Sequence, residues 1–322
     1  VGLDIRTAEF LLHSKTLGTD FSNVATLGHQ RVYLSQSERK LVADWLERTD
    51  DAEHEYADFF LEALGASELN SIDASRYEGA QIIHNLNAEL PGELHQRFSC
   101  LIDGGTLEHV FDIRQSLKSC MQMVKVGGHL IICQMANNCM GHGFYQFSPE
   151  FFYCALTPEN GYRVKFMALS EDGRWYEPLP PQQVGERIQA RTSRETFIFV
   201  LAERISDVEP FTVSPHQSDY VSNLDVVHDS AAAAKTASVS GLKALRKRLG
   251  DIKRRHVYRA MPWLGKLEEE YSRNRYLRHD RLSNTRRFRT IGKRLLMSMV
   301  SLSTAPLLGL SHGGFGLSVC VG

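Results

Sequence analysis

The chain is short of several things, and each shortage narrows what it can be. Six cysteines occur in 322 residues, at 100, 120, 133, 139, 154 and 320, and no two form a CxxC pair. That argues against a zinc ribbon or a dense disulfide scaffold and favours a reducing, cytoplasmic compartment. Several of the thiols lie inside apolar runs, as Cys133 does in HLIICQM, and read as small core residues. Residues 1–12 lack the pattern of a secretory leader, because Asp4, Arg6 and Glu9 interrupt the apolar positions. A spanning helix needs about 20 uninterrupted apolar residues. The uncharged stretch 295–322 is broken by Pro306 and later glycines, so it makes a poor one.

Charge is present in nearly equal numbers of each sign, 37 Lys+Arg against 38 Asp+Glu, but it is not evenly spread. Residues 1–234 hold 18 basic and 33 acidic side chains, whereas 235–322 hold 19 and 5. An acidic globular part followed by a basic one suggests chemistry or ligand binding first and attachment second.

Hydrophobic spacing gives the elements of the first part. An amphipathic helix is expected over 5–16, and the β-branched run NVATLG (23–28) reads as the first strand. Helical spacing covers 36–64. Strands follow at ELNSID (68–73), AQIIHNLN (80–87) and RFSCLID (97–103), then a helix at 113–124. Gly127-Gly128 turns the chain into HLIICQM (129–135), a fifth strand. YRVKFMAL (162–169) and ETFIFVLAER (195–204) are the last two, joined by a polar, Pro-rich connection.

Strands alternating with helices imply an α/β fold: a mostly parallel, seven-stranded sheet with helices on both faces. Ligands bind such sheets beyond the carboxyl ends of the strands. The polar residues at those ends, Gly28, Asp73, Asn85, Asn87, Asp103 and Gln134, are therefore expected to face one crevice. Residues 1–205 form this domain, 206–240 read as a linker, and 241–322 as a basic, partly helical tail carrying Trp263, Tyr271 and Tyr276.

The segments FSCLIDGGTLEHVFD (98–112) and KVGGHLIICQMANNCMGHGFYQFSPEFF (125–152) resemble the fourth strand, following helix and fifth strand of class I S-adenosylmethionine-dependent methyltransferases. LNSIDASRYEGAQIIHNLN (69–87) is similar to the second and third strands of that Rossmann-like fold. The resemblance covers roughly residues 20–205. It implies S-adenosylmethionine as cofactor, with Asp73 holding the ribose hydroxyls and Asn85 or Asn87 meeting the adenine. Gly28, Asp103, Gly104 and Gly105 would line the rest of the cofactor site. The chain departs from the family at its first glycine motif. TLGHQ (26–30) has one glycine and no acid, with His29 and Gln30 where small residues normally allow close approach.

Beyond the fifth strand, Asn137, His142, Tyr145 and Gln146 fall on the substrate side, together with Gln134. Tyr145 and Phe147 are placed to wall a pocket. His109 and His142 are the candidate catalytic bases for a hydroxyl acceptor, since imidazole accepts protons near neutral pH. Glu108 reads as an acidic residue suited to the start of the next helix. No ligand spacing supports a metal held by His109, His142 and Asp103, and no metal is expected.

Two functions remain open. One is methyl transfer to a small-molecule or glycan hydroxyl, in the setting of bacterial surface polysaccharide synthesis where such domains often sit. The other is a non-catalytic binding or scaffold module that lost its cofactor through the altered TLGHQ turn. For the basic tail, runs such as KALRKRLGDIKRRHVYR (243–259) suit anionic lipid at the inner face of the membrane. No nucleic-acid-binding signature accompanies them, and a solvated or protein-contacting helix stays open beside peripheral membrane attachment.

Overall fold

The computed structural model describes residues 2–47, 53–181, 188–218, 281–283 and 285–288. In chain order the elements are α1 (Ile5–Thr16), β1 (Asn23–Leu27), α2 (Gln36–Trp45), α3 (Asp58–Ala63), β2 (Glu68–Asp73) and β3 (Ile82–Ile83). Then come β4 (Phe98–Asp103), α4 (Ile113–Met123), β5 (Val124–Asn137), α5 (Pro149–Ala155), β6 (Tyr162–Glu171), β7 (Arg174–Pro178), β8 (Gln189–Arg191) and β9 (Thr196–Arg204). Two short strands, β10 (Arg281–Ser283) and β11 (Thr285–Phe288), complete them.

One sheet orders its strands β11-β7-β6-β9-β5-β4-β1-β2-β3. From β3 to β5 every pairing is parallel. From β5 to β11 every pairing is antiparallel. The sheet therefore has nine strands in mixed orientation, where seven mostly parallel ones were expected. β9 runs against both β5 and β6, which leaves those two parallel to each other. This is a Rossmann-like α/β arrangement, extended at one edge by β7 and β11.

Helices lie on both faces because the central strands β1, β4, β5 and β9 bury both of their sides. One core packs α1, α2 and α3 through Phe10, Val42 and Phe60 against Val24, Cys100, Ile131 and Phe199. The other packs α4 and α5 through Leu117, Met121 and Phe152 against Leu27, Leu101, Ile132 and Val200. Burial raises the thiols of Cys100, Cys120 and Cys133 far above their ordinary range, so they behave as inert core residues. Helix α1 begins where Asp4 Oδ1 accepts the Thr7 N–H at 2.8 Å, and α2 begins with a reciprocal Ser35–Glu38 capping box.

Several boundaries differ from expectation. The helical stretch 36–64 is two helices, α2 and α3. The third strand contracts to Ile82–Ile83 because the Asn85 side chain accepts the Asn87 N–H at 3.0 Å and turns the chain out of the sheet. The connection after β6 holds a further strand: Asp172 and Gly173, at φ 51° and 70°, close a tight hairpin into β7. Within the segment read as basic helices, the described residues form strands, β10 beside β8 and β11 beside β7. The remainder of that segment, with Trp263, Tyr271 and Tyr276, lies outside the described residues.

Residues 206–218, the start of the expected linker, are packed on the domain. Phe211 is buried and its N–H donates to Asn160 Oδ1 at 2.9 Å, while Glu209 pairs with Lys118. Arg204 is buried at the end of β9 and donates to the carbonyls of Gln122 and Val124, tying the strand to the α4–β5 corner. Among the described residues, no helix is long and apolar enough to cross a membrane.

Candidate functional site

The parallel half of the sheet brings the ends of β1, β2 and β4 side by side. Leu27 pairs with Ile72 on one side and Asp103 on the other. Gly28 follows at once, at φ 71°, a conformation that glycine adopts without strain. Its N–H donates to Ile72 O at 2.7 Å. A Cβ at Gly28 would lie 3.8 Å from Thr106 Oγ1 and 4.0 Å from Asp73 Oδ2. The structure thus brings Gly28 and Asp73 together with the turn that follows Asp103, while Asp103 itself is buried.

Asp73 accepts the Ser75 N–H through Oδ1 at 3.0 Å and presents Oδ2 toward Gly28. Asn85 and Asn87 are exposed beyond β3. Asn87 Oδ1 accepts the Asp112 N–H at 3.0 Å, so it joins this loop to the start of α4.

Asp103 has a different role from the one expected. It is fully buried; Oδ1 accepts the N–H groups of Thr106 and Leu107, and Oδ2 accepts Gln134 Nε2 at 2.6 Å. Burial, reinforced by the charge of Glu108, raises its carboxyl to about 7, against the pull of those hydrogen bonds. Gln134 is equally buried and faces Asp103, which corrects its placement on the substrate side. Both side chains shape the turn at Gly104-Gly105 from beneath.

Gln30 occupies the floor of the crevice. Its Nε2 donates to Leu27 O at 2.5 Å, and a Cβ on Gly104 would collide with its Oε1. His29 is turned the other way. It stacks on Tyr56 with centroids 3.7 Å apart, and its nitrogens lie within 2.9 Å of Glu78 O and 2.8 Å of Asp58 Oδ2. Pockets of only about 10 Å³ touch Gln30 from below. A cavity of about 460 Å³ lies elsewhere, between α4, α5 and residues 211–217.

Beyond Thr106 the chain makes a single 3-10 turn over Leu107–His109, and α4 starts only after its cap Asp112. Glu108 is therefore not in the first turn of that helix. Its side chain is wholly buried, and neither carboxylate oxygen has a hydrogen-bond partner among the described residues. His109 Nε2 and His142 Nε2 each lie 3.8 Å from Glu108 Oε1, and the two rings are 5.1 Å apart. Both imidazoles are about half exposed, at 51% and 45%.

The loop carrying His142 is clamped in place. Phe144 N–H donates to Glu108 O at 2.7 Å, and a Cβ on Gly143 would meet that same oxygen at 2.7 Å. The residues expected to touch substrate here hold the loop instead. Asn137 Nδ2 donates to Thr192 Oγ1, Gln146 Oε1 accepts the Cys139 N–H, and Tyr145 Oη donates to Phe111 O at 2.6 Å. Phe147 is buried 6.1 Å from the Tyr145 ring. Sequence reasoning placed His109 and His142 in the site. It missed the inward Glu108, for which the only signal was its position next to His109.

No protein-family model and no curated protein sequence matches the chain. Solved structures resemble it at low identity. A 1,6-didemethyltoxoflavin-N1-methyltransferase from Burkholderia thailandensis, bound to its substrate and S-adenosylhomocysteine, is 14% identical over 63% of this chain and 78% of its own, with a TM-score of 0.36. TehB from Haemophilus influenzae is 12% identical over 61% and 62%, at 0.34. The branched-chain polyamine synthase of Thermus thermophilus, in complex with N4-aminopropylspermidine and 5'-methylthioadenosine, is 13% identical over 64% and 58%, at 0.36. At these identities and TM-scores the likeness assigns no activity to the chain.

Proposed function

We propose that the domain binds S-adenosylmethionine at the carboxyl edge of β1, β2 and β4 and transfers its methyl group to a hydroxyl of a small molecule or glycan. The observation that carries this reading is the meeting of Gly28, Asp73 and the Gly104 turn, three elements distant in sequence, beside an exposed histidine pair.

The residues fit the cofactor at two points and resist it at one. Asp73 Oδ2 faces Gly28, and a carboxylate oxygen there can accept hydrogen bonds from a diol. Gly28 leaves space above the turn. Gln30 must swing off Gly104 before the backbone there can be approached. When bound, the sulfonium cofactor supplies a methyl group already activated toward nucleophiles. The chain then has to hold the acceptor in line, which is worth several kcal/mol. His109 or His142 takes the hydroxyl proton. The cytoplasmic face of a membrane and a surface-glycan acceptor belong to this proposal through the resemblance and the basic segment after 240.

The test is thermal unfolding with S-adenosylhomocysteine. A ligand present at 100 times its Kd stabilises by about 2.7 kcal/mol, so the midpoint should rise, and Asp73→Ala should cancel the rise. No shift at saturating ligand would favour the scaffold reading, which the position of Gln30 against Gly104 supports.

A further inference from the structure

We infer that Glu108, His109 and His142 form a binding site for a divalent transition-metal ion, with open coordination positions toward solvent. The three candidate ligand atoms all lie within 4.8 Å of one another. An independent observation points the same way: Glu108 is completely buried with both oxygens unpartnered among the described residues. A buried carboxylate without donors carries a desolvation penalty of several kcal/mol, which a cation directly opposite it offsets.

The donor set selects the ion. Two imidazole nitrogens with one carboxylate suit Zn²⁺, Co²⁺ or Fe²⁺, whereas Mg²⁺ and Ca²⁺ prefer oxygen alone. Ligands about 2.0–2.1 Å from a tetrahedral ion stand roughly 3.3 Å apart. The separations of 3.8 Å from Glu108 Oε1 to each Nε2 need a small contraction, and the histidine nitrogens, within 4.8 Å of each other, can be drawn in by rotation of their half-exposed side chains. Three protein ligands leave at least one position free, as in catalytic rather than structural metal sites. The half-exposed imidazoles place that position toward solvent.

The backbone holds the triad together before any ion arrives. Glu108 and His109 are neighbours on one 3-10 turn, and the Phe144–Glu108 hydrogen bond with Gly143 presses the His142 loop onto that turn. An oxygen of the acceptor would complete the coordination shell, and with both imidazoles on the ion, the ion rather than a histidine would ease loss of the hydroxyl proton to solvent. That last role rests on the methyl-transfer reading, but metal binding does not.

The experiment is titration of the chelator-treated full chain with Co²⁺, followed by calorimetry and visible absorption. One equivalent should bind with the spectrum of nitrogen and oxygen ligation. His142→Ala and Glu108→Gln should each weaken binding at least about 10-fold, and His95→Ala, on the exposed turn before β4, should not. His142 is exposed, so its variant tests the site even if Glu108→Gln does not fold. Absence of Co²⁺ binding, unchanged affinity in His142→Ala, or equal loss in His95→Ala would overturn the inference. The S-adenosylhomocysteine melt is read separately. Metal binding without a cofactor shift keeps the site and removes the acceptor role, and the converse removes only the site.

Discussion

Gln30 stands where a second glycine would complete a Gly-x-Gly spacing, and its side chain lies over Gly104. In the apo protein the amide makes a hydrogen bond to Leu27 O that any ligand approaching this turn must break or displace. Gln30→Gly removes that competitor, and S-adenosylhomocysteine should bind roughly 5- to 10-fold tighter by calorimetry, about 1 kcal/mol. An unchanged Kd would show that Gln30 is no obstacle. Asp103 gives a pH dependence at the same scale. Its folded carboxyl is raised from the ordinary 3.8 to about 7, so the folded state holds this proton where the unfolded chain has released it. Its contribution to stability accordingly falls as pH rises through that window. Asp103→Asn should flatten the fall in urea midpoint between about pH 4 and pH 7; a slope equal to the parent's would assign the dependence to other groups.

At the scale of elements, the loop from β5 to α5 decides where His142 points. Gly143 has φ 76° and no room for a Cβ against Glu108 O. Gly143→Ala should cost about 1–3 kcal/mol in urea unfolding. It should also move the chemical shifts of His109 and His142, which are in contact with the same turn. A neutral substitution would mean the loop is not held as described. This loop also shows what the sequence could and could not disclose. Strands whose apolar runs are buried on both faces, such as HLIICQM and ETFIFVLAER, declare themselves by composition. The convergence of Gly28 and Asp73 followed from strand order alone. The contraction of β3 did not, because it depends on an Asn85 turn competing with an edge ladder. The hairpin into β7 was signalled by Asp172-Gly173 and passed over beside the more prominent prolines. The inward turn of Glu108, Asp103 and Gln134 was illegible. An acid at a strand end reads the same whether it faces a ligand or a buried amide.

For the whole molecule, the division of charge is the dominant feature. The basic part after residue 234 carries 19 Lys+Arg against 5 acidic residues. The full chain should therefore co-sediment with vesicles containing about 30% phosphatidylglycerol at low salt. Release is expected as ionic strength rises and the Debye length shrinks from ~10 Å toward 3 Å. A chain ending at 240 should stay in the supernatant, and identical behaviour of the two would exclude lipid attachment through this part.

The reversed course of β9 has a practical corollary for anyone building on this protein. Thr196 begins the strand level with Asn137, at the ligand end, and Arg204 finishes it level with Tyr162, at the other. The polypeptide then turns back along α4 and α5: Arg114 Nη2 donates to Phe211 O at 3.2 Å, and Ser218 N–H donates to Glu150 Oε1 at 2.8 Å in the first turn of α5. A fluorescent reporter or affinity handle grafted just past residue 218 would hang beside the start of α5, the helix that follows the His142 loop. Bulky cargo fused there should crowd that loop rather than clear it.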